Sequence, residues 1–123
     1  TVAAKEHFVH QSGGEVFKKA VREMADNSRM LMDRHGFTGD QLKLFVPHQA
    51  NIRIMDAAAK RLELDPSRMM VNIDKYANTT AATIPTALHQ AVEQGRVGKG
   101  DLVALAAFGA GFTWGSTLLR WAY

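Results

Sequence analysis

Apolar positions along the chain recur with two periods, and each switch between them marks an element. Phe17, Ala20, Val21, Met24, Ser28 and Leu31 fall on one face of a helix. Ser12-Gly-Gly-Glu15 ahead of them has capping-box spacing, and Gly36-Phe-Thr-Gly39 supplies the glycine that lets a helix end in the left-handed region. Leu42 to Val46 reads as a short strand. Helical spacing returns from about Asn51 to Leu64, with Ile52, Met55, Ala58, Ala59 and Leu62 as its stripe, until Asp65-Pro66 stops it. Met69 to Ile73 reads as a second short buried strand and Lys75-Tyr-Ala-Asn78 as a loop. Thr79 to Gly95 reads as a helix with Pro85 near its first turn, where a missing N–H costs little. Leu102–Phe108 is a nearly all-apolar strand, Gly109-Ala-Gly111 a turn, and Phe112–Trp121 a last strand. The first dozen residues carry no sustained period.

Strand, helix, strand, helix, strand implies an α/β domain with a partly parallel sheet, because parallel neighbours need crossover connections. The last two strands, joined by a short glycine turn, should form an antiparallel hairpin. No repeat or Pro/Gly-rich linker divides the chain, so residues 1–123 read as a single domain.

Composition narrows the class. Hydrophobic content of 46% and charged content of 22% belong to a globular domain rather than a disordered tail. No apolar run approaches the roughly 18 residues of a membrane span, so no membrane association is expected. The net charge of +3 comes from basic residues spread among acids, which argues against nucleic-acid binding. The chain has no cysteine, which excludes a disulfide, a thiolate metal site and a thiol nucleophile within it, and leans towards the cytoplasm.

Catalytic groups in open α/β sheets gather at the carboxyl ends of strands. Three loops belong there: Pro47-His48-Gln49, Ala77-Asn78-Thr79 and Gly109-Ala110-Gly111. An imidazole and a carboxamide at one edge can both donate hydrogen bonds to a carbonyl oxygen and stabilise an enolate. Taken singly, His48 reads first as a core histidine, Asn78 as a turn residue and Gly109–Gly111 as a tight hairpin. His7 and His10 lack a third metal ligand nearby, and His89 with Glu93 reads as a solvated helical pair, so no metal site is expected. Arg53 and Lys60 share the polar face of the second helix with Arg61 on its flank. That face is either solvated or docks an acidic partner.

Taken together, VPHQANIRI, YANTTAATIP and AFGAGFTWGSTLLRW resemble β-ketoacyl-acyl-carrier-protein synthase III, a condensing enzyme of the thiolase superfamily, and SGGEVFKKAV at Ser12–Val21 fits the same family. The resemblance runs from about residue 11 to the end and covers the C-terminal half of that family's thiolase-like fold. It implies a Cys-His-Asn site in which His48 and Asn78 hold the malonyl thioester oxygen as the enolate forms, with His48 also helping to keep the Cys ionised. It implies that Gly109, Ala110 and Gly111 form the oxyanion loop, with the Ala110 N–H as donor. Gly13, Phe17, Ala50 and Asn51 match positions lining the pantetheine (CoA) tunnel, and Lys18, Arg53, Lys60 and Arg61 match the basic patch that receives the acidic acyl carrier protein. The implied reaction joins an acyl-CoA, usually acetyl-CoA, to malonyl-acyl carrier protein with loss of CO2 and starts type II fatty-acid synthesis. These are substrates; no cofactor is implied. A homodimer is implied for the full-length protein.

Three small departures stand out: Ala77 and Ala110 where glycine is common, and Gly14 where some members carry Asn. The large one is the missing Cys, which in the family lies in the N-terminal half. The chain therefore reads as a segment that condenses nothing until joined to a Cys-bearing half. The alternatives are a related thiolase-fold acyltransferase of secondary metabolism and a non-catalytic fragment that binds the carrier protein.

Overall fold

The computed structural model describes residue 3 and residues 13–123. The Ser12 cap and the His7/His10 pair lie outside the described residues. Helix α1 spans Gly13–Arg34, followed by β1 (Leu42–Pro47), α2 (Ile52–Arg61), the single turn α3 (Ile73–Tyr76), α4 (Thr83–Glu93), β2 (Leu102–Gly109) and β3 (Thr113–Arg120). The sheet order is β1-β2-β3, with β1 parallel to β2 and β2 antiparallel to β3. The α/β class and the closing hairpin are as the sequence implies.

Helices cover both faces of the sheet. Side chains of β1 alternate after a register shift between Leu42 and Leu44. Phe45 joins Ala104 and Ala106 of β2 beneath α1 and α2, among Met24, Met55 and Ala58. Leu44 and Val46 face the other way with Val103, against Ala87 and Ala91 of α4. Phe45 and Met55 are fully buried, and side chains of that size each contribute about 1.5–3 kcal/mol of apolar burial. The polar Ser28 sits within the buried stripe of α1 because its hydroxyl reaches the Met24 carbonyl at 2.7 Å.

Three sequence expectations are corrected. Met69–Ile73 is not a strand: it makes one parallel bridge, Met69 to Phe45, and Ile73 already begins α3. Side chains intercept its backbone, since Gln49 takes the Met70 carbonyl and the Asn72 N–H and Arg96 takes the Met69 carbonyl. Helix α4 starts at Thr83 instead of Thr79, because Thr80 adopts φ 54° and residues 80–82 form a 3-10 turn. Helix α2 stops at Arg61, and Ile54 is buried where Ile52 was expected, leaving Ile52 41% exposed.

All three long helices close with the same pair of bonds. Phe37 N–H to Met32 O and Gly36 N–H to Asp33 O end α1, and the equivalent bonds from Arg96 and Gly95 end α4. In α2 the bonds run from Leu64 to Ala59 and from Glu63 to Lys60. Gly36 and Gly95 hold the left-handed position in the first two; in α2 it falls to Glu63, at φ 58°.

Candidate functional site

Strand β1 ends at Pro47, and His48 follows in the crossing to α2. Pro47 pairs with Ala106, and the His48 N–H donates to the Ala106 carbonyl at 2.7 Å, which fixes His48 at the carboxyl end of the sheet. Parallel strands end together, so the β2–β3 turn that begins after Gly109 opens at this edge. The Ala50 N–H donates back to the His48 carbonyl at 2.8 Å, turning the chain towards α2.

The imidazole is half-buried, with Nδ1 2.5 Å from Thr83 Oγ1. Burial holds its pKa below the ordinary histidine value, so the ring is neutral at neutral pH. Thr83 is the first residue of α4 and 2% exposed. Gln49 is fully buried and satisfied on every side. Its N–H approaches Thr83 Oγ1 at 3.3 Å, its Nε2 donates to the carbonyls of Pro47 and Met70, and its Oε1 accepts from Asn72. One side chain thus ties the end of β1 to the segment that leads into α3 and Asn78.

Asn78 is exposed, and its Oδ1 accepts from the Thr80 N–H at 2.9 Å. That leaves its amide nitrogen without a partner among the described residues. Ala77 at φ 56° and Thr80 at φ 54° flank it, both in the left-handed half of backbone space. Thr83, five positions beyond Asn78, connects this loop to the His48 ring. In the hairpin turn, Ala110 is exposed and its N–H has no partner among the described residues. Gly111 adopts φ 138°, and a Cβ there would meet Thr113 N at 3.2 Å, so the turn requires glycine.

The remaining sequence-proposed positions surround α1 and α2. Gly13 begins α1, Phe17 lies one turn on, and its ring sits 5.7 Å from the Arg53 guanidinium. Asn51 is the N-cap of α2, with Oδ1 accepting from the Arg53 N–H at 2.8 Å, and Ala50 beside it is half-buried. Lys18, Arg53 and Lys60 are exposed. Arg61 differs: Nε and Nη2 grip Asp26 at 2.7 and 2.9 Å. His89 and Glu93 form the exposed pair that their spacing implies.

The sequence reading missed Thr83 and Gln49. The available signal for Thr83 was its place on the buried stripe of α4, four and eight positions before Ala87 and Ala91. A cavity of about 620 Å³ lies at the other, amino-terminal end of β1 and β2. Arg68, Arg96 and Arg120 line it, but all three are bonded to backbone carbonyls and act as staples. Among the described residues no group of three His, Cys, Asp or Glu could hold a metal, and no helix is long and apolar enough to cross a membrane.

Residues 32–121 match the family described as 3-oxoacyl-[acyl-carrier-protein] synthase III C terminal. The β-ketoacyl-[acyl-carrier-protein] synthase III of Symbiobacterium thermophilum is 50% identical over 121 residues, covering 98% of this chain and 37% of that protein. Among solved structures, the synthase III of Thermus thermophilus is 49% identical with a TM-score of 0.88, covering 92% of this chain and 35% of its own. That of Aquifex aeolicus is 44% identical with a TM-score of 0.90, covering 93% and 37%. The chain thus spans little more than a third of the length of these relatives. With the family model matching most of the chain and the family's fold present, the chain belongs to the 3-oxoacyl-[acyl-carrier-protein] synthase III C-terminal family.

Proposed function

We propose that this chain supplies the enolate-stabilising half of an acyl-transferring condensing enzyme. The observation that carries the reading is the His48 ring, anchored through Nδ1 at the sheet edge where, among the described residues, the Ala110 N–H has no partner. A neutral imidazole so held offers Nε2 to a thioester oxygen, and Asn78 Nδ2 offers a second donor.

In the proposed reaction a Cys from a segment outside this sequence attacks an acyl-CoA, with acetyl-CoA as the primer, and expels the CoA thiol. Malonyl-acyl carrier protein then loses CO2, and the C–C bonding pair becomes the enolate whose oxygen His48 and Asn78 hold. The enolate carbon attacks the acyl-Cys carbonyl while the Ala110 N–H receives the oxyanion. Collapse expels the Cys thiolate and leaves 3-oxoacyl-acyl carrier protein. Gly13, Phe17, Ala50 and Asn51 line the approach of the pantetheine arm, and Lys18, Arg53, Lys60 and, less freely, Arg61 receive the carrier protein. The cytoplasm is the proposed compartment, with the homodimer as the assembly of the complete enzyme.

The test combines this chain with the Cys-bearing half of the Thermus thermophilus relative and follows 3-oxoacyl product. His48→Ala or Asn78→Ala lowers the rate roughly a hundredfold, the usual cost of losing one donor to a developing oxyanion. Full activity in both variants overturns the assignment. CoA primers of different length and branching separate fatty-acid initiation from a related secondary-metabolic acyltransferase.

A further inference from the structure

Among the described residues the His48 ring meets one side-chain partner, through Nδ1, and that partner is a hydroxyl, which can donate or accept. Thr83 has one proton to give. Among the described residues its Oγ1 has two partners, the Gln49 N–H at 3.3 Å and His48 Nδ1 at 2.5 Å. The Gln49 N–H only donates and therefore occupies an oxygen lone pair. The imidazole nitrogen is the one acceptor left for the hydroxyl proton. Were Nδ1 to carry a hydrogen instead, two donors would converge on Oγ1. The Thr83 proton, on a residue 2% exposed, would then be buried with no acceptor, which is costly.

We infer that Thr83 is a positioning residue: its hydroxyl donates to His48 Nδ1 and fixes the imidazole as the tautomer with hydrogen on Nε2. The Nε2–H is then a permanent donor aimed away from α4, and Nδ1 has no hydrogen to offer. Gln49 has a part in this arrangement, because its backbone N–H turns the Thr83 hydroxyl from acceptor to donor. For catalysis the inference rests on the proposed role of His48 towards a thioester oxygen. As a statement about a proton it does not, and the test keeps the two apart.

The measurement is the two-bond 1H–15N spectrum of the full chain, 15N-labelled at histidine and combined with the Cys-bearing half, with His48→Gln assigning the signal. The expected result is a pyrrole-type Nε2 and a pyridine-type Nδ1 at neutral pH. Thr83→Ser retains this pattern, and Thr83→Val, close in shape but without the hydroxyl, shifts it to mixed or Nδ1–H tautomers. A wild-type ring with hydrogen on Nδ1 overturns the inference without any variant. So does an unchanged pattern in a folded Thr83→Val protein; if that variant does not fold, the wild-type and Thr83→Ser spectra decide. In the activity assay Thr83→Val lowers turnover about ten- to a hundredfold, as loss of a partner that orients a metal-bound histidine does elsewhere, and Thr83→Ser recovers it. Tautomer control with no activity effect leaves the proton assignment standing and removes the catalytic reading of His48.

Discussion

Arg61 and Asp26 are held face to face, guanidinium to carboxylate, by two bonds of 2.7 and 2.9 Å that cross from α2 to α1. The pair lowers the Asp26 pKa through hydrogen bonding and charge and raises that of Arg61 for the same reasons. The four basic residues proposed to receive a carrier protein are therefore not equivalent.

Arg53→Ala and Lys60→Ala are expected to weaken carrier-protein binding to the complete enzyme several-fold at low ionic strength, and Arg61→Ala less. Removing Arg61 also frees Asp26, whose negative charge then opposes an acidic partner only weakly through solvent. Titration of labelled carrier protein checks the ranking, and added salt should shrink all three effects. Equal losses at the three positions would remove the distinction drawn from the ion pair.

Ala77 sits at φ 56° and ψ −161°, a region populated almost entirely by glycine. The residue is exposed, so glycine there loses little packing. Relief of about 1–3 kcal/mol of strain exceeds the roughly 0.4–1 kcal/mol that glycine costs through the unfolded chain. Ala77→Gly should stabilise the protein by about 1 kcal/mol in denaturant titrations. The added freedom next to Asn78 should not raise activity.

Glu63 holds the left-handed position that glycine holds at the ends of α1 and α4. Glu63→Gly is expected to stabilise α2 by about 1 kcal/mol, the usual penalty for a side chain in that conformation. The change gives up an exposed contact to Arg29 at 3.9 Å, which is too long and too solvated to offset the gain. A higher urea midpoint with an unchanged slope is the expected readout.

Burial lowers the His48 pKa, so between the unfolded and folded values the unfolded chain binds a proton that the folded one refuses. The sign follows: no penalty exists well above pH 6.5, and stability falls as pH drops below it. Unfolding free energies between neutral pH and pH 5 should decline, with His48→Gln showing a shallower slope. The His48-dependent limb of the pH–rate profile should lie below pH 6.5.

Much of the fold was legible because its signals are periodic. The helix over Gly13–Arg34, the parallel β1 and β2 and the glycine-turned hairpin follow from spacing, and parallel strand ends put His48 and the Gly109–Gly111 turn on one edge. The end of α2 was not legible, because a glutamate carries no mark of the left-handed position it takes. The Met69–Ile73 segment misled for a related reason. Its composition is that of a strand, but side-chain amides and guanidinium groups from Gln49 and Arg96 satisfy its backbone. Thr83 was hidden because a threonine on an apolar stripe looks like core until its hydroxyl is found against the imidazole.

The Gln49 side chain also sets an order of assembly. Beyond the local Pro47 carbonyl, its amide has nothing to bind until residues 70 to 72 arrive beside β1, more than twenty positions along the chain. The strands can pair before that, since their ladder needs none of these groups. The edge bearing His48 is therefore expected to close after the strands have paired and to open before the sheet unfolds. The Asn72 amide proton, buried yet held by a side chain, should exchange with solvent sooner than those of β2, timing the opening of the edge separately from unfolding of the sheet.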